Sequence, residues 1–262
     1  MEAIELIRLD VLVARQCGFS REYSREAVEQ GFVMLNGKAL TKPGMKLPAD
    51  TTVEVSAPPQ KYVSRGGLKL EKAVAIFGVS VHNDICIDIG ASTGGFTDCL
   101  LQAGAAKVFA IDSGTEQLVE SLRSDPRVVP MENTNIREVT PETIGVLADC
   151  IVIDVSFISL DKVLPHAAAL LAPDGKMIAL VKPQFEAGRA HLNKKGVVTD
   201  PKVRKKVLDT IVKNLQTYGL EQHGCIPSPI LGQNGNEEYL LYLRATNGRP
   251  YETNTNEGDH HA

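Results

Sequence analysis

The chain has 262 residues, of which 43% are hydrophobic and 23% charged, as is typical of a globular protein with one large domain, or a medium domain and a small satellite. Residues 1–15 interleave charged and apolar side chains, so they do not resemble a signal peptide, and no apolar run is long enough to cross a bilayer. The five cysteines lack C-x-x-C spacing, which favours reduced core thiols over disulfides or zinc ligands. We therefore expect a cytoplasmic protein without a metal site.

The net charge of −4 conceals a basic segment. Residues 182–206 contain eight lysines and arginines against only Glu186 and Asp200. A local cationic patch of this kind can bind phosphate although the whole chain is acidic. A solvated helix face explains the same run, so composition alone leaves both interpretations open.

Residues 1–58 predict a small α+β domain. Two helices are expected, the second after Ser20, whose hydroxyl suits an N-cap. The short strand FVMLN is followed by Asn36-Gly37, a strong hairpin signal, and TTVEVS alternates like a last strand. Consecutive prolines then mark a linker, which we place at 59–65.

Strand and helix patterns alternate over the second predicted domain, 66–246. Strands are expected at 84–89, 107–112, 127–131, 149–154 and 175–181, and helices at 66–77, 95–103, 115–123, 159–171 and 201–217. This α/β alternation predicts a Rossmann-like, mostly parallel sheet covered on both faces. Strands near 221–227 and 237–244 should pair antiparallel, because only a Pro/Gly/Asn loop separates them. Residues 247–262 are polar and predict a disordered tail.

A glycine-rich turn, within CIDIGASTGGFTDCLLQAGA, joins a predicted strand to a helix. Its glycines allow a tight turn and close approach of a ligand, whereas a plain bend needs one glycine and not three. Ser92 occupies the middle glycine position of a dinucleotide fingerprint, which disfavours a dehydrogenase. Acidic residues at two strand ends suit S-adenosylmethionine better, with Asp88 near its methionine end and Asp112 accepting hydrogen bonds from ribose hydroxyls. The expected cofactor-binding residues are Asp88, Gly90, Ser92, Gly94, Gly95, Phe96, Asp112 and Asp154.

Four polar residues fall where predicted strands end, namely Asp88, Asp112, Asp154 and Lys182. The carboxyl ends of parallel strands lie along one edge of a sheet, which is where open α/β sheets bind ligands. Four unrelated strand caps on one edge are the weaker explanation, so we expect a site there.

Several segments together resemble a known family. They read SRGGLKLEKA, DIGASTGGFTDCLLQAGA, DPRVV, DVSFISL, LVKPQFEAGR, KKGVVTDP and GNEEYLL. On these segments, residues 5–244 resemble the TlyA (hemolysin A-like) family, whose members are similar to FtsJ-type ribose methyltransferases. The amino-terminal part looks like the small RNA-binding domain of the ribosomal S-four type.

The resemblance implies a ribosomal RNA 2′-O-methyltransferase that uses S-adenosylmethionine and acts on a cytidine. Its partner would be ribosomal RNA or a ribosomal subunit; small or large subunit, and the oligomeric state, stay open. FtsJ-like enzymes use a Lys-Asp-Lys-Glu set, to which Lys69, Asp154, Lys182 and Glu238 correspond. We assign Lys182 as the general base and Lys69 as the group that places the ribose. The two carboxylates are expected to orient the lysines.

Cationic side chains in both predicted domains are expected to contact RNA, chiefly at phosphates. They are Arg8, Arg21, Arg25 and Lys38 in the small domain, Arg65 at the end of the linker, and Arg189, Lys194 and Lys195 in the basic segment.

Two other functions compete with the enzyme. The first is a non-catalytic RNA-binding or ribosome-assembly module that retains a cofactor pocket. The second is a membrane-active hemolysin, which the older family name suggests, but no amphipathic or apolar segment of suitable length supports it. The presence of both lysines and both carboxylates favours the enzyme, because a binding module would not require them.

Overall fold

The computed structural model describes residues 5–56 and 61–246, and the chain divides into two compact units between Gly67 and Leu68. The predicted tail at 247–262 and the first two residues of the predicted linker, 59–60, lie outside the described residues.

The amino-terminal unit is a small α+β domain. Its elements are β1 (Leu6–Arg8), α1 (Leu9–Cys17), α2 (Arg21–Glu29), β2 (Val33–Leu35), β3 (Lys38–Ala39), β4 (Lys46–Pro48) and β5 (Glu54–Val55). Strand β1 pairs with β4, and β2 lies between β3 and β5. Ser20 Oγ accepts the backbone N–H of Tyr23 at 3.2 Å, which confirms the predicted cap. Asn36 and Gly37 both have positive φ, as a two-residue hairpin between β2 and β3 requires.

The carboxy-terminal unit contains a seven-stranded sheet with helices. Its elements are α3 (Gly66–Phe77), β6 (Ile85–Ile89), α4 (Gly95–Gln102), β7 (Lys107–Ile111), α5 (Glu120–Arg123), β8 (Val128–Met131), α6 (Pro141–Ile144), β9 (Ala148–Ile153), α7 (Leu164–Ala169), β10 (Leu171–Val181), α8 (Pro183–Glu186), α9 (Pro201–Asn214), β11 (Leu220–Pro227) and β12 (Tyr239–Ala245). The strand order is β11-β12-β10-β9-β6-β7-β8. Strands β6 to β10 are mutually parallel, whereas β12 is antiparallel to both β10 and β11, as predicted.

The centre of the sheet is apolar on both faces. Residues 150–153 of β9 and 177–181 of β10 are all buried. Such continuous apolar runs, rather than alternating ones, are expected of parallel strands that have helices on both sides. Three of the five cysteines, Cys86, Cys99 and Cys150, are buried free thiols in this unit, whereas Cys17 is partly buried and Cys225 is exposed.

The single helix predicted at 159–171 is wrong. A 3-10 turn at Leu160–Lys162 precedes α7, and Leu171 already belongs to β10, an eleven-residue strand longer than the predicted 175–181. Pro165 lies in the first turn of α7, where its missing N–H is tolerated. The apolar run LPHAAALLA fits a helix and a buried strand equally, so its periodicity could not locate the boundary.

Two other predicted helices are shorter than expected. Only Glu120–Arg123 of the segment 115–123 is helical, because the Glu132 carboxylate accepts the N–H groups of Gln117 and Leu118 and holds that stretch as a loop. Helix α9 ends at Asn214, and the rest of the predicted 201–217 helix tightens into a 3-10 turn.

The turn that follows β6 packs closely against the backbone just after β9. Gly90 has φ +86°, and its N–H donates to the carbonyl of Ile111 at 2.8 Å. A Cβ added at Gly90 would lie 2.5 Å from the carbonyl oxygen of Asp154. Glycine is therefore required here both by backbone conformation and by the close approach of another chain segment.

Replacing Gly90 by alanine should destabilise the carboxy-terminal unit more than the same change at Gly145. Both positions have positive φ, +86° and +78°, which costs an alanine about 1–2 kcal/mol. Nothing lies within 4 Å of a Cβ at Gly145, whereas the crowding at Gly90 adds about 1–3 kcal/mol. Urea denaturation of Gly90→Ala and Gly145→Ala measures the difference. Equal losses would contradict the close approach described above.

Candidate active site

A cavity of about 440 Å³ lies at the carboxyl ends of the central parallel strands. This volume falls within the usual range for small-molecule sites. Its wall is formed by Ile89, Gly90, Ser92, Ile111, Asp112, Ser113, Gly114, Gln117, Thr134, Asn135, Ile136, Asp154, Val155, Ser156, Phe157, Ile158 and Val163. Four residues predicted from the sequence to bind the cofactor are on this wall: Gly90, Ser92, Asp112 and Asp154.

The Asp112 carboxylate follows β7 and organises the glycine-rich turn. It accepts the N–H of Ser92 on Oδ2 and the N–H of Gly114 on Oδ1, both at 2.7 Å. Ser92 takes a positive φ of 47° in this turn. Each carboxylate oxygen retains a second acceptor site, so Asp112 can still receive hydroxyl donors from a ligand in the cavity.

Asp88 lies within β6, one residue before its end, and is fully buried beneath the turn. Thr97 Oγ1 donates to its Oδ2 at 2.7 Å, whereas Oδ1 is buried without a hydrogen-bond partner. Burial raises the pKa of Asp88 to about 7, the Thr97 hydrogen bond opposes that rise, and the negative charges of Asp154 and Asp112 add to it.

Three other residues of the glycine-rich segment pack against the rest of the unit and do not line the cavity. Gly94 precedes α4 with φ +98°, and a Cβ there would overlap the side chain of Leu122. Gly95 is the first residue of α4, and Phe96 is only 2% exposed. None of the three is on the cavity wall, so the structure places them behind it.

Sequence reasoning missed the wall contributed after β8. Thr134, Asn135 and Ile136 line the cavity, as does Gln117 from the loop after β7. The Glu132 carboxylate holds that loop by accepting the Gln117 N–H at 2.6 Å. The signal was available, because β8 is parallel to β7 and its carboxyl end must reach the same edge.

The lysines and carboxylates of the predicted catalytic set form two ion pairs. Lys182 Nζ lies 2.6 Å from Asp154 Oδ1 and donates to Ser156 Oγ at 2.9 Å. Lys69 Nζ lies 2.6 Å from Glu238 Oε2. The side chains of Lys182 and Lys69 are 12% and 11% exposed, and that of Glu238 is 2% exposed, so both pairs are largely shielded from water.

Sheet register brings these pairs to one edge. Asp154 and Lys182 directly follow the adjacent parallel strands β9 and β10. Val181, the last residue of β10, is opposite Tyr239, the first residue of β12, so Lys182 and Glu238 continue neighbouring strands at the same end. Gln184 Nε2 donates to Glu238 Oε1 at 3.3 Å, which links the turn after Lys182 to the second pair.

An aromatic pair with one exposed ring lies at the same edge. Phe157, on the cavity wall, is 86% exposed and has φ +64°, an unusual conformation for a phenylalanine. Its ring centroid lies 4.9 Å from that of Phe185. Glu186 anchors the Phe157 segment by accepting Ser159 Oγ at 2.6 Å and the Leu160 N–H at 2.8 Å. Burial raises the pKa of Glu186.

The predicted RNA-binding residues of the amino-terminal unit are exposed or partly exposed cations. Arg8 donates two hydrogen bonds to the buried Asp10 carboxylate, from Nε at 2.9 Å and from Nη2 at 2.8 Å. Arg21 Nε lies 3.7 Å from the same carboxylate. Lys38 is exposed in β3. Asp10 thus holds two arginines on one face of this unit.

The remaining predicted RNA-binding residues differ in their surroundings. Arg25 pairs with Glu29 one turn away at 2.9 Å, and Arg65 pairs with Glu26 at 3.2 Å. In the other unit Arg189, Lys194 and Lys195 are exposed on the segment between α8 and α9.

Within residues 5–56 and 61–246, no cluster of three or more His, Cys, Asp or Glu side chains is arranged to hold a metal ion. Over the same part of the chain, no helix combines the length and apolar character needed to cross a membrane.

Comparison with known proteins places this geometry in a family. Residues 62–245 match the FtsJ-like methyltransferases, and residues 7–53 match the S4 domain. The 16S/23S rRNA (cytidine-2′-O)-methyltransferase TlyA of Mycobacterium tuberculosis is 42% identical over 91% of this chain and 89% of that protein. Hemolysin A of Brachyspira hyodysenteriae is 43% identical over 86% of this chain and 93% of that protein.

A solved structure from Streptococcus thermophilus has the same organisation. It is 45% identical, covers 97% of this chain and 93% of its own, and superposes with a TM-score of 0.77. The expected fold and family are therefore confirmed. The chain belongs to the FtsJ-like methyltransferase family and carries an S4 domain ahead of its methyltransferase domain.

Proposed function

We propose that this protein transfers the methyl group of S-adenosylmethionine to the ribose 2′-hydroxyl of a cytidine in ribosomal RNA, in the cytoplasm. The observation that carries the proposal is the pair of shielded lysine–carboxylate contacts at the edge of the cavity. The substrate is supported by the relatives from Mycobacterium tuberculosis and Campylobacter jejuni, which are named rRNA (cytidine-2′-O)-methyltransferases and are 42% and 34% identical to this chain.

The cavity residues fit S-adenosylmethionine. On the cavity wall, Asp112 has acceptor capacity for the ribose hydroxyls. Asp88 is not on the wall but is buried beneath the glycine-rich turn, where its unpartnered Oδ1 suits a positive charge bound nearby. Gly90 lines the cavity wall and has no side chain, so a ligand can approach the backbone of the turn closely. When bound, the cofactor supplies a methyl group on an electrophilic sulfonium.

The chain's own contribution is positioning and proton removal. A ribose hydroxyl is a poor nucleophile until its proton is being taken away. Once it has given up its own proton, Lys182 Nζ would accept the hydroxyl proton, and the 2′-oxygen would take the methyl group that the bound cofactor supplies. Asp154 and Ser156 fix the direction of Nζ, and Asp154 stabilises the ammonium that forms. Lys69, held by Glu238, places the ribose.

Exposed groups around the site suit an RNA substrate. The Phe157–Phe185 pair offers a ring face on which a base can stack. The exposed cations Arg189, Lys194 and Lys195 can meet phosphates. The S4 domain adds the arginines held by Asp10, which gives a second region for phosphate contact.

Lys182→Ala should lower the rate of methyl transfer by about 10²–10⁴-fold, because the proton acceptor is lost. Radiolabelled S-adenosylmethionine and ribosomal subunits from cells lacking the protein provide the assay, with resistance of the label to alkaline cleavage reporting ribose methylation. The matched control is Lys176→Ala, in the middle of β10, where the lysine pairs with Asp84 at 2.7 Å. It should keep near-normal activity.

Near-normal turnover of Lys182→Ala with intact cofactor binding would contradict the base assignment. Absence of label with the unaltered protein, on subunits and on free RNA, despite measurable cofactor binding, would instead favour a non-catalytic RNA-binding module.

The raised pKa of Asp88 predicts pH-dependent cofactor affinity. The carboxyl is neutral below its pKa of about 7 and negative above it, whereas the sulfonium is permanently positive. Affinity should therefore rise severalfold from about pH 6 to about pH 8, measured by isothermal titration calorimetry. Asp88→Asn removes the titrating group and should flatten the rise, whereas Asp174→Asn, at an exposed aspartate, should not. An unchanged pH profile in Asp88→Asn would show that another group controls the affinity.

A further inference from the structure

The buried side chain of Asn236 joins residues 232–238, the segment before β12, to residues 193–198 before α9, which we call the basic loop. Asn236 is 3% exposed. Its Oδ1 accepts the N–H of Val198 at 3.2 Å, and its Nδ2 donates to the carbonyls of Gly196 at 3.1 Å and Gln233 at 3.0 Å. An amide is needed for this arrangement, because one group must accept on one side and donate twice on the other.

A second buried side chain holds the same two segments from α9. Arg204 Nη1 donates to the carbonyls of Val198 and Thr199, both at 3.0 Å, and Nη2 donates to Glu237 Oε1 at 3.0 Å. Val198 is therefore held through its N–H by Asn236 and through its carbonyl by Arg204, and its side chain is 1% exposed. The two contacts leave little freedom for either segment.

Glu238 lies two residues beyond Asn236, so its carboxylate depends on this backbone. Its side chain packs so closely on Gly232 that a Cβ there would overlap Oε1. The Gly232 N–H in turn donates to the carbonyl of Asn236 at 2.8 Å. A shift of the Asn236 backbone would therefore move Gly232, the residue on which the Glu238 side chain packs, and would change how Glu238 holds Lys69.

We propose that Asn236 is a positioning residue for the methyl transfer: it sets the backbone that carries Glu238 and ties it to the basic loop 193–198. This inference rests on the proposed function. Asn236 is buried and bonds only to backbone groups in the contacts described above, so it acts through Glu238 and Lys69. The basic loop carries Lys194 and Lys195. The same network therefore positions both the lysines that would bind RNA and the Glu238–Lys69 pair.

Asn236→Asp tests the proposal, because it keeps the shape and an acceptor for Val198 but removes both donors. We expect kcat at saturating RNA and cofactor to fall at least tenfold, with the Kd for S-adenosylmethionine changed less than twofold. The matched control is Asn234→Asp, at an exposed residue of the same segment that donates to the carbonyl of Lys195 at 2.9 Å. It introduces the same charge and should keep kcat within twofold.

A double-mutant cycle separates positioning from general destabilisation. If Asn236 acts through Glu238, then Asn236→Asp should change kcat less than twofold in a Glu238→Gln background. Asn236→Ser, which adds no charge, is the second variant should Asn236→Asp fail to fold, and circular dichroism confirms folding at the assay temperature. Hydrogen exchange should show faster exchange in both 193–199 and 232–238.

The two proposals fail in different ways. An unaltered protein that binds S-adenosylmethionine but methylates no RNA would overturn the proposed function. An active protein whose folded Asn236→Asp and Asn236→Ser variants keep kcat, or lose it equally with and without the Glu238 carboxylate, would overturn the role of Asn236 alone.

Discussion

Strands β6 to β10 run in one direction, so their carboxyl ends must meet at one edge of the sheet, and β12, which runs the opposite way, must begin there. This directional constraint brings residues far apart in the chain together. Asp112, Asp154 and Lys182 follow three parallel strands, and Glu238 precedes the reversed one. The cavity, the ion pairs and the Phe157–Phe185 pair all depend on that shared edge.

The two lysines at this partly dry edge persist because each is paired with a carboxylate. Removing water from a single lysine or carboxylate is costly, whereas a lysine 2.6 Å from a carboxylate has most of that cost offset. Buried Asp88 differs from these carboxylates, because its Oδ1 has no hydrogen-bond partner and burial raises its pKa. The pairing also fixes the direction of the lysine amines, as the proposed proton acceptor and ribose-placing group require.

Much of the fold followed from local pattern, and the failures have a common cause. Alternating strands and helices, the Ser20 cap and the Asn36-Gly37 hairpin are set by nearby residues and were predicted correctly. The helices predicted at 115–123 and 159–171 were not, because a distant carboxylate, Glu132, holds the first segment as a loop and sheet pairing draws Leu171 into β10. Long-range contacts decided both.

The sequence by itself determined the family, the parallel sheet and the four residues of the lysine–carboxylate set, because recurring motifs and strand ends carry that information. Only the tertiary structure decided which lysine pairs with which carboxylate. It also added the wall after β8 and revealed that Asn236 joins the basic loop to the Glu238 segment. The physical reason is that ion pairs and buried amides need distances of about 3 Å, met to within a few tenths of an ångström, between segments remote in sequence, which no local pattern encodes.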